Sequence, residues 1–398
     1  MRSFDISVAI RPNILALEPY VCARDEYDEG ILLDANENAL GHSLPQDKED
    51  DTNHPPPSQM AASFDLLDLH RYPSPSHLPL KQLICTLRNV PSPDNIFLGV
   101  GSDEVIDMLF RISCKPGNDR VLICPPTYGM YSVCAQVNDI AVEKVTLDAE
   151  DGKFAVKVDE VNSILSSASK SSFPIKLVFL CSPGNPTGTL IPLDDIRKIL
   201  SNPDYQGLVV VDEAYIDFGE DGTSAVRLLV DEGWPNLVVM QTLSKGFGLA
   251  AIRLGIAYST PALIRVLNAV KAPYNISTPT AALALRALSP SGLTLFRKNI
   301  ATLNTNRSIL QKALLEIPDV LRILGAGDAN FLVVQIGRGG KPDNKRAKEV
   351  YTRMATDEKV VVRFRGNEHG CEACLRITVG TLEECERVVE KLTMLLKE

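Results

Sequence analysis

Along much of this chain the apolar residues come in short unbroken blocks. Ile96-Phe97-Leu98-Gly99-Val100, Val121-Leu122-Ile123-Cys124, Leu177-Val178-Phe179-Leu180-Cys181, Leu208-Val209-Val210-Val211 and Leu237-Val238-Val239-Met240 are each of strand length, and none alternates with polar residues. A strand with one wet face alternates; a strand covered on both faces does not. The blocks therefore predict a mostly parallel sheet flanked by helices, with helical patterns such as Glu104–Phe110 between the strands. After about residue 275 the pattern changes to long helical stretches, then strands at Asn330–Gln335 and Leu375–Val379, and a closing helix near 382–397.

The expected fold is α/β: a large domain built on the mostly parallel sheet, residues 71–275, and a smaller α+β domain, residues 31–70 with 276–398. Residues 1–30 read as an N-terminal arm. Within the smaller domain, Asp47-Lys48-Glu49-Asp50-Asp51 and Pro55-Pro56-Pro57 mark residues 41–65 as a flexible surface insertion, because they offer few apolar anchors.

Every polar motif of note follows the carboxyl end of an apolar block, where open α/β sheets bind ligands. Lys245 stands in Thr242-Leu243-Ser244-Lys245-Gly246-Phe247-Gly248, among hydroxyls and small residues. Most lysines are solvated charges, but this setting suits an amine that bonds an aldehyde as a Schiff base. Asp212 ends the block 208–211 and could simply cap a helix. Ionised beside a pyridine nitrogen, it would keep that nitrogen protonated. Together Lys245 and Asp212 are what pyridoxal 5′-phosphate (PLP) requires of a protein. Tyr215 and Asn185, the latter in the rigid turn Ser182-Pro183-Gly184-Asn185-Pro186, could donate to the cofactor's phenolate oxygen. Gly101-Ser102-Asp103 begins a helix, whose free N–H groups suit a phosphate as well as an ordinary cap. Tyr128 could stack on a planar ring, and Arg253 could neutralise phosphate. Arg376 is a charge inside the apolar strand Leu375–Val379 and needs an anionic partner, protein or substrate.

Composition narrows the classes. The net charge of −9 in 398 residues argues against general nucleic-acid binding, and no apolar stretch approaches a membrane span. Nine cysteines without a disulfide pattern fit a reducing compartment, and the first residues carry acids rather than a secretory or transit signature, so a cytoplasmic location is expected. Cys371-Glu372-Ala373-Cys374 lacks a second CxxC pair, so free thiols rather than a metal are expected there. Gly99-Val100-Gly101 lacks the third glycine of a dinucleotide fingerprint.

Taken together these motifs resemble those of the fold-type-I PLP-dependent aminotransferases, and among them the histidinol-phosphate aminotransferase family. The resemblance runs nearly end to end. It is carried by Leu33–Asn38, Arg71-Tyr72-Pro73, Pro126–Tyr131, Asp212–Phe218, Thr242–Leu254, Lys271–Asn275 and Cys374–Gly380. It implies a homodimer with active sites at the subunit interface and small-molecule substrates. Lys245 would hold PLP, Asp212 its ring nitrogen, and Asn185 with Tyr215 its phenolate oxygen. Tyr128 would stack on the ring. Ser102, Asp103, Ser244 and Arg253 would surround the phosphate, with Tyr72 reaching in from the partner, and Thr242 would also bind the cofactor. Arg376 would grip the carboxylate of glutamate or 2-oxoglutarate, while Tyr20, Arg363 and Asn36 would help recognise the phosphorylated substrate. The implied activity is reversible amino transfer between L-histidinol phosphate and 2-oxoglutarate, giving imidazole acetol phosphate and L-glutamate, a step of histidine biosynthesis. Alternatives are a PLP-dependent threonine-phosphate decarboxylase and an aromatic amino acid aminotransferase. The chain departs from the family pattern at Ala251 and Gly184, both small, and in the length of the 41–65 segment.

Overall fold

A computed structural model describes residues 14, 16, 26–27, 29–45 and 67–397. Tyr20 and most of the 41–65 segment lie outside the described residues. Fourteen strands are present among those described: β1 Ile31–Leu32, β2 Ile96–Val100, β3 Arg120–Ile123, β4 Ala141–Lys144, β5 Ile175–Cys181, β6 Leu208–Asp212, β7 Leu237–Thr242, β8 Leu254–Tyr258, β9 Val320–Leu324, β10 Phe331–Arg338, β11 Lys341–Pro342, β12 Val360–Val361, β13 Arg363–Phe364 and β14 Cys374–Thr378.

Seven of them form one sheet in the order β2-β8-β7-β6-β5-β3-β4. The pairings from β7 to β4 are parallel, whereas β8 runs antiparallel to both its neighbours. The unbroken apolar blocks explain the layering. Alternate residues of each strand face opposite ways, so Val178, Leu180, Val209, Val211 and Val239 join one apolar cluster. Leu177, Phe179, Val210, Val238 and Met240 join another. Both faces are dry. Each of these side chains contributes roughly 1.5–3 kcal/mol through burial, so a polar residue in either set would be costly.

A second, five-stranded sheet has β10 at its centre, flanked by the antiparallel β9, β11 and β14, with β13 beyond β14. Its apolar side packs with Leu303, Leu310 and Leu314 of the long helix Pro290–Leu315 and with Val388, Leu392 and Leu395 of the closing helix Leu382–Leu396. The closing helix starts with a capping box, in which Thr381 and Glu384 satisfy each other's backbone N–H. Residues 31–33 run alongside this sheet. β1 pairs with β12 in parallel, Leu33 N–H donates to Val361 O at 2.7 Å, and Thr378 N–H donates to Leu33 O at 3.1 Å. The chain that follows, Asp34–Asn38, is thereby delivered to the carboxyl edge of the large sheet.

Candidate active site

Chain direction assembles the site. β2, β3, β5, β6 and β7 all end at one edge of the large sheet, so the turns after them meet there. The reversed β8 begins at that edge, which brings Arg253, immediately before it, to the same place. A cavity of ≈ 390 Å³ opens there, and Lys245, Asp212, Asn185, Tyr215, Tyr128 and Arg376 are among its lining residues. Ser102, Asp103, Thr242, Ser244, Arg253, Asn36 and Arg363 line it as well. Tyr72 does not; it is 82% exposed and stacks on Tyr274 with ring centroids 4.7 Å apart.

Lys245 is half-buried, and its Nζ donates to Ala35 O at 2.8 Å. Loss of water around the ammonium, reinforced by the positive charge of Arg376, brings its pKa down to about 8. Such an amine is neutral in an appreciable fraction near neutral pH. Asp212 is almost wholly buried at the end of β6. Desolvation raises its pKa to about 6, opposed by a hydrogen bond from Tyr131 and one from the Ala214 N–H. The Tyr131 hydroxyl donates to Asp212 Oδ2 at 2.7 Å, and Ala214 N–H donates to Oδ1 at 3.2 Å.

The helix Gly101–Ser113 starts at the cavity edge, with Ser102 and Asp103 in its first turn. Gly101 has φ 72°, and a Cβ there would lie 2.6 Å from Arg253 Nη2. A Cβ on Gly255 would run into the backbone of Gly101 and Ser102. Both glycines let the helix start and the arginine approach each other closely. Arg253 Nη2 lies 3.3 Å from Asp103 Oδ2, and Tyr128 donates to Asp103 Oδ1 at 3.0 Å. Thr242 Oγ1 lies 2.9 Å from Ser244 Oγ and 3.0 Å from Leu254 O, fixing the loop that carries Lys245.

On the opposite wall, Tyr215 accepts a hydrogen bond from Asn36 Nδ2 at 3.0 Å, and burial raises its pKa to about 12. Asn36 Oδ1 in turn accepts from Thr378 at 3.1 Å. Arg376 is buried. Its Nη1 donates to Asn185 Oδ1 at 2.6 Å, its Nη2 donates to Asp34 O, and its Nε has no partner among the described residues. Desolvation first, then the charge of Arg365, lowers its pKa to about 9. A buried guanidinium with a spare donor can accommodate an anion. The Ser182–Pro183 and Asn185–Pro186 bonds are both cis, as is Pro125–Pro126.

Sequence reasoning overlooked what stands behind these groups. Tyr131 is the clearest case: it ends the motif Pro126–Tyr131, yet only the fold shows it bonded to Asp212. A second buried network was equally unannounced. Gln241 Nε2 donates to Glu213 Oε2 at 2.7 Å, Arg88 Nε donates to Gln241 Oε1 at 2.7 Å, and Arg88 Nη2 reaches Asp217 Oδ1 at 2.5 Å. Asp217 lies against Gly246, where a Cβ would come within 2.5 Å of Oδ2. The network thus ties the residue after Asp212 to the residue after Lys245. Cys371 and Cys374 are buried free thiols, and burial pushes the Cys371 thiol up to about 12.

One cavity thus brings together an amine whose pKa burial lowers, a buried acid, and a helix start beside an arginine. The family model for aminotransferase class I and II matches residues 29–392, and the chain belongs to that family. It is 46% identical to the histidinol-phosphate aminotransferase of Schizosaccharomyces pombe, over 99% of this chain and 98% of that protein. It is also 46% identical to the enzyme of that name from Saccharomyces cerevisiae, over 97% of this chain and 96% of the other. Within the class, the chain is therefore a member of the histidinol-phosphate aminotransferase family. Its fold matches the crystal structure of histidinol-phosphate aminotransferase from Sinorhizobium meliloti in complex with pyridoxal-5′-phosphate, with a TM-score of 0.80, 21% identity and 99% of each chain covered.

Proposed function

We propose that this protein transfers an amino group reversibly between L-histidinol phosphate and 2-oxoglutarate, with PLP attached at Lys245. The observation that carries this reading is the meeting of Lys245 and Asp212, from separate loops, on one cavity beside an anion seat. The residues suit the cofactor. Asp212 would accept the proton on its ring nitrogen, Tyr128 would lie against its ring, and Asn185 with Tyr215 would face its phenolate oxygen. Ser102, Ser244 and Arg253 would hold its phosphate at the start of the helix Gly101–Ser113, with Asp103 and Thr242 fixing that end.

When bound, PLP supplies the aldehyde that carries the amino group and a ring that draws electrons from the substrate carbon. The chain does the rest. Asp212, ionised and held by Tyr131, keeps the ring nitrogen protonated. Lys245 Nζ would take the proton from the amino-bearing carbon of the substrate and return it to the carbon on the far side of the amino nitrogen, acting as base and then acid. Its lowered pKa suits both tasks. Arg376 binds the carboxylate of glutamate or 2-oxoglutarate, and Arg363, Asn36 and Tyr20 contribute to the phosphorylated substrate. Because the two substrates use one cavity in turn, ping-pong kinetics follow.

A homodimer with shared sites is part of the proposal. Tyr72 and Tyr274 form an exposed aromatic pair, which suits contact with a second copy rather than with water. Among the described residues no helix is long and apolar enough to cross a membrane; a cytoplasmic setting is proposed on the expectation of reduced cysteines. The test is to mix the PLP-loaded protein with histidinol phosphate and 2-oxoglutarate. Formation of glutamate supports the reading. Release of carbon dioxide from threonine phosphate, or faster transfer from phenylalanine or tyrosine than from histidinol phosphate, would overturn it.

A further inference from the structure

Arg363 and Arg376 are direct cross-strand partners in the antiparallel pairing of β13 with β14. Arg365 lies two residues beyond Arg363, and its N–H donates to Cys374 O at 2.8 Å, so the extended pairing continues through it. Side chains two apart on a strand share a face. Three guanidinium groups therefore stand together on one face of the sheet edge, and all three line the cavity. Like charges set opposite one another on a ladder destabilise it, so this clustering calls for anions. One is built in: Glu368 Oε1 lies 2.8 Å from Arg365 Nη1. Glu368 is held in place by its own backbone, its N–H donating to Arg365 O at 3.0 Å and its carbonyl accepting from Cys371 N–H at 3.0 Å. The pair is partly open to water, with side chains 23% and 28% exposed, which makes it a weak tether. The Nε of Arg365 is buried and has no partner among the described residues. One edge of this guanidinium is thus occupied by Glu368, and a second donor is left for something else.

We infer that Arg365 joins Arg363 and Arg376 as an anion-binding residue at the substrate end of the site, selecting substrates that bear a phosphate or a second carboxylate, and that Glu368 steadies it until such an anion enters. Arg376 alone can neutralise one carboxylate. A phosphate monoester near neutral pH carries close to two negative charges, and 2-oxoglutarate carries two carboxylates, so either substrate rewards an additional cation. The positive charge of Arg365 also helps to lower the pKa of Arg376, and both line the same cavity. This inference rests on the proposed amino transfer and names a further determinant of its substrate class.

The test compares histidinol phosphate with histidinol, which lacks only the phosphate, in steady-state reactions of the PLP-loaded protein with 2-oxoglutarate. Loss of one hydrogen bond to a charged group corresponds to about tenfold or more in binding. In Arg365→Gln, the ratio of the second-order rate constant for histidinol phosphate to that for histidinol should fall by about tenfold. The loss should appear in KM rather than kcat. In Glu368→Gln, which removes the competing carboxylate, KM for histidinol phosphate should fall or stay level while that for histidinol does not move. Equal losses for both compounds in Arg365→Gln, an unchanged ratio, or a large rise in KM for histidinol phosphate in Glu368→Gln would each overturn the assignment. If the unsubstituted protein turns over neither compound, the proposed amino transfer itself fails; if it does and the ratio stays unchanged, only the role of Arg365 is lost.

Discussion

Removing one oxygen atom behind the site, by Tyr131→Phe, should change how PLP binding depends on pH. The Tyr131 hydroxyl donates to Asp212 Oδ2 at 2.7 Å, and both residues are buried, so water cannot replace the bond. A hydrogen bond to a charged acceptor is worth about 1.5–3 kcal/mol, which at 1.36 kcal/mol per unit corresponds to a shift of roughly 1–2 pKa units. Asp212 in the free protein already sits at about 6, raised by burial against the pull of Tyr131 and Ala214. Without the hydroxyl it should move to between roughly 7 and 8. The ring nitrogen needs the ionised acid, so affinity for PLP falls on the acid side of that value. Spectrophotometric titration of cofactor-free protein from pH 5.5 to 9 would measure it. The variant's acid limb should lie about 1–2 units higher than that of the unsubstituted protein, with affinities converging at the alkaline end. The ionisation of Lys245 affects both proteins alike and drops out of the comparison. A shift under about 0.3 units, well below that expectation, or a loss of affinity equal at every pH, would refute the reasoning.

Three more outcomes are expected. Cofactor-free protein should lose stability as pH rises from about 4 to about 7. Asp212 and Glu213 both have folded pKa values raised by burial, to about 6 and about 7, so their stabilising protonation is complete below the unfolded values and gone above the folded ones. The loss is roughly 3 kcal/mol for each, and Glu213→Gln should flatten part of the slope in urea unfolding at pH 5 and pH 7.5; an equally steep slope would contradict the assignment. Gly255→Ala should drive a methyl group into the backbone at Gly101 and Ser102, displacing the helix start and weakening PLP by about tenfold or more, in line with the loss of one charge-assisted hydrogen bond; unchanged affinity by titration would count against the anion seat. Finally, mixing Lys245→Ala with Tyr72→Ala protein after partial unfolding and refolding should restore activity that neither has alone, because one site of each hybrid would combine native Lys245 with the partner subunit's Tyr72. No restoration would count against shared sites.

Lys245 and Asp212 could be picked out from the sequence as candidates because each lies beside a distinctive local pattern. Lys245 sits among small residues and hydroxyls, and Asp212 ends an apolar block, so chain position alone places both at the sheet edge. The doubly covered strands were legible for the same reason: burial on both faces leaves a continuous signal. Among the longer strands, β4, β8 and β9 gave no such signal. β4, Ala141–Lys144, is an exposed edge strand containing two charges; β8 holds a glycine needed for close approach; and β9 is only partly buried. Tyr131 and Arg365 escaped for a different reason. Tyr131 acts on Asp212, 81 residues away, and Arg365 reaches the cavity only because its strand pairs with the one that carries Arg376, and no local pattern encodes either placement. The reversal of β8, which brings Arg253 to the site, is likewise a property of the whole sheet.

The most direct measurement reduces the PLP-loaded protein with borohydride and maps the modified peptide by mass spectrometry. The account predicts a single pyridoxyl group on Lys245, and no such label in Lys245→Ala. A label on any other lysine, or full amino-transfer activity in the substituted protein, would contradict it.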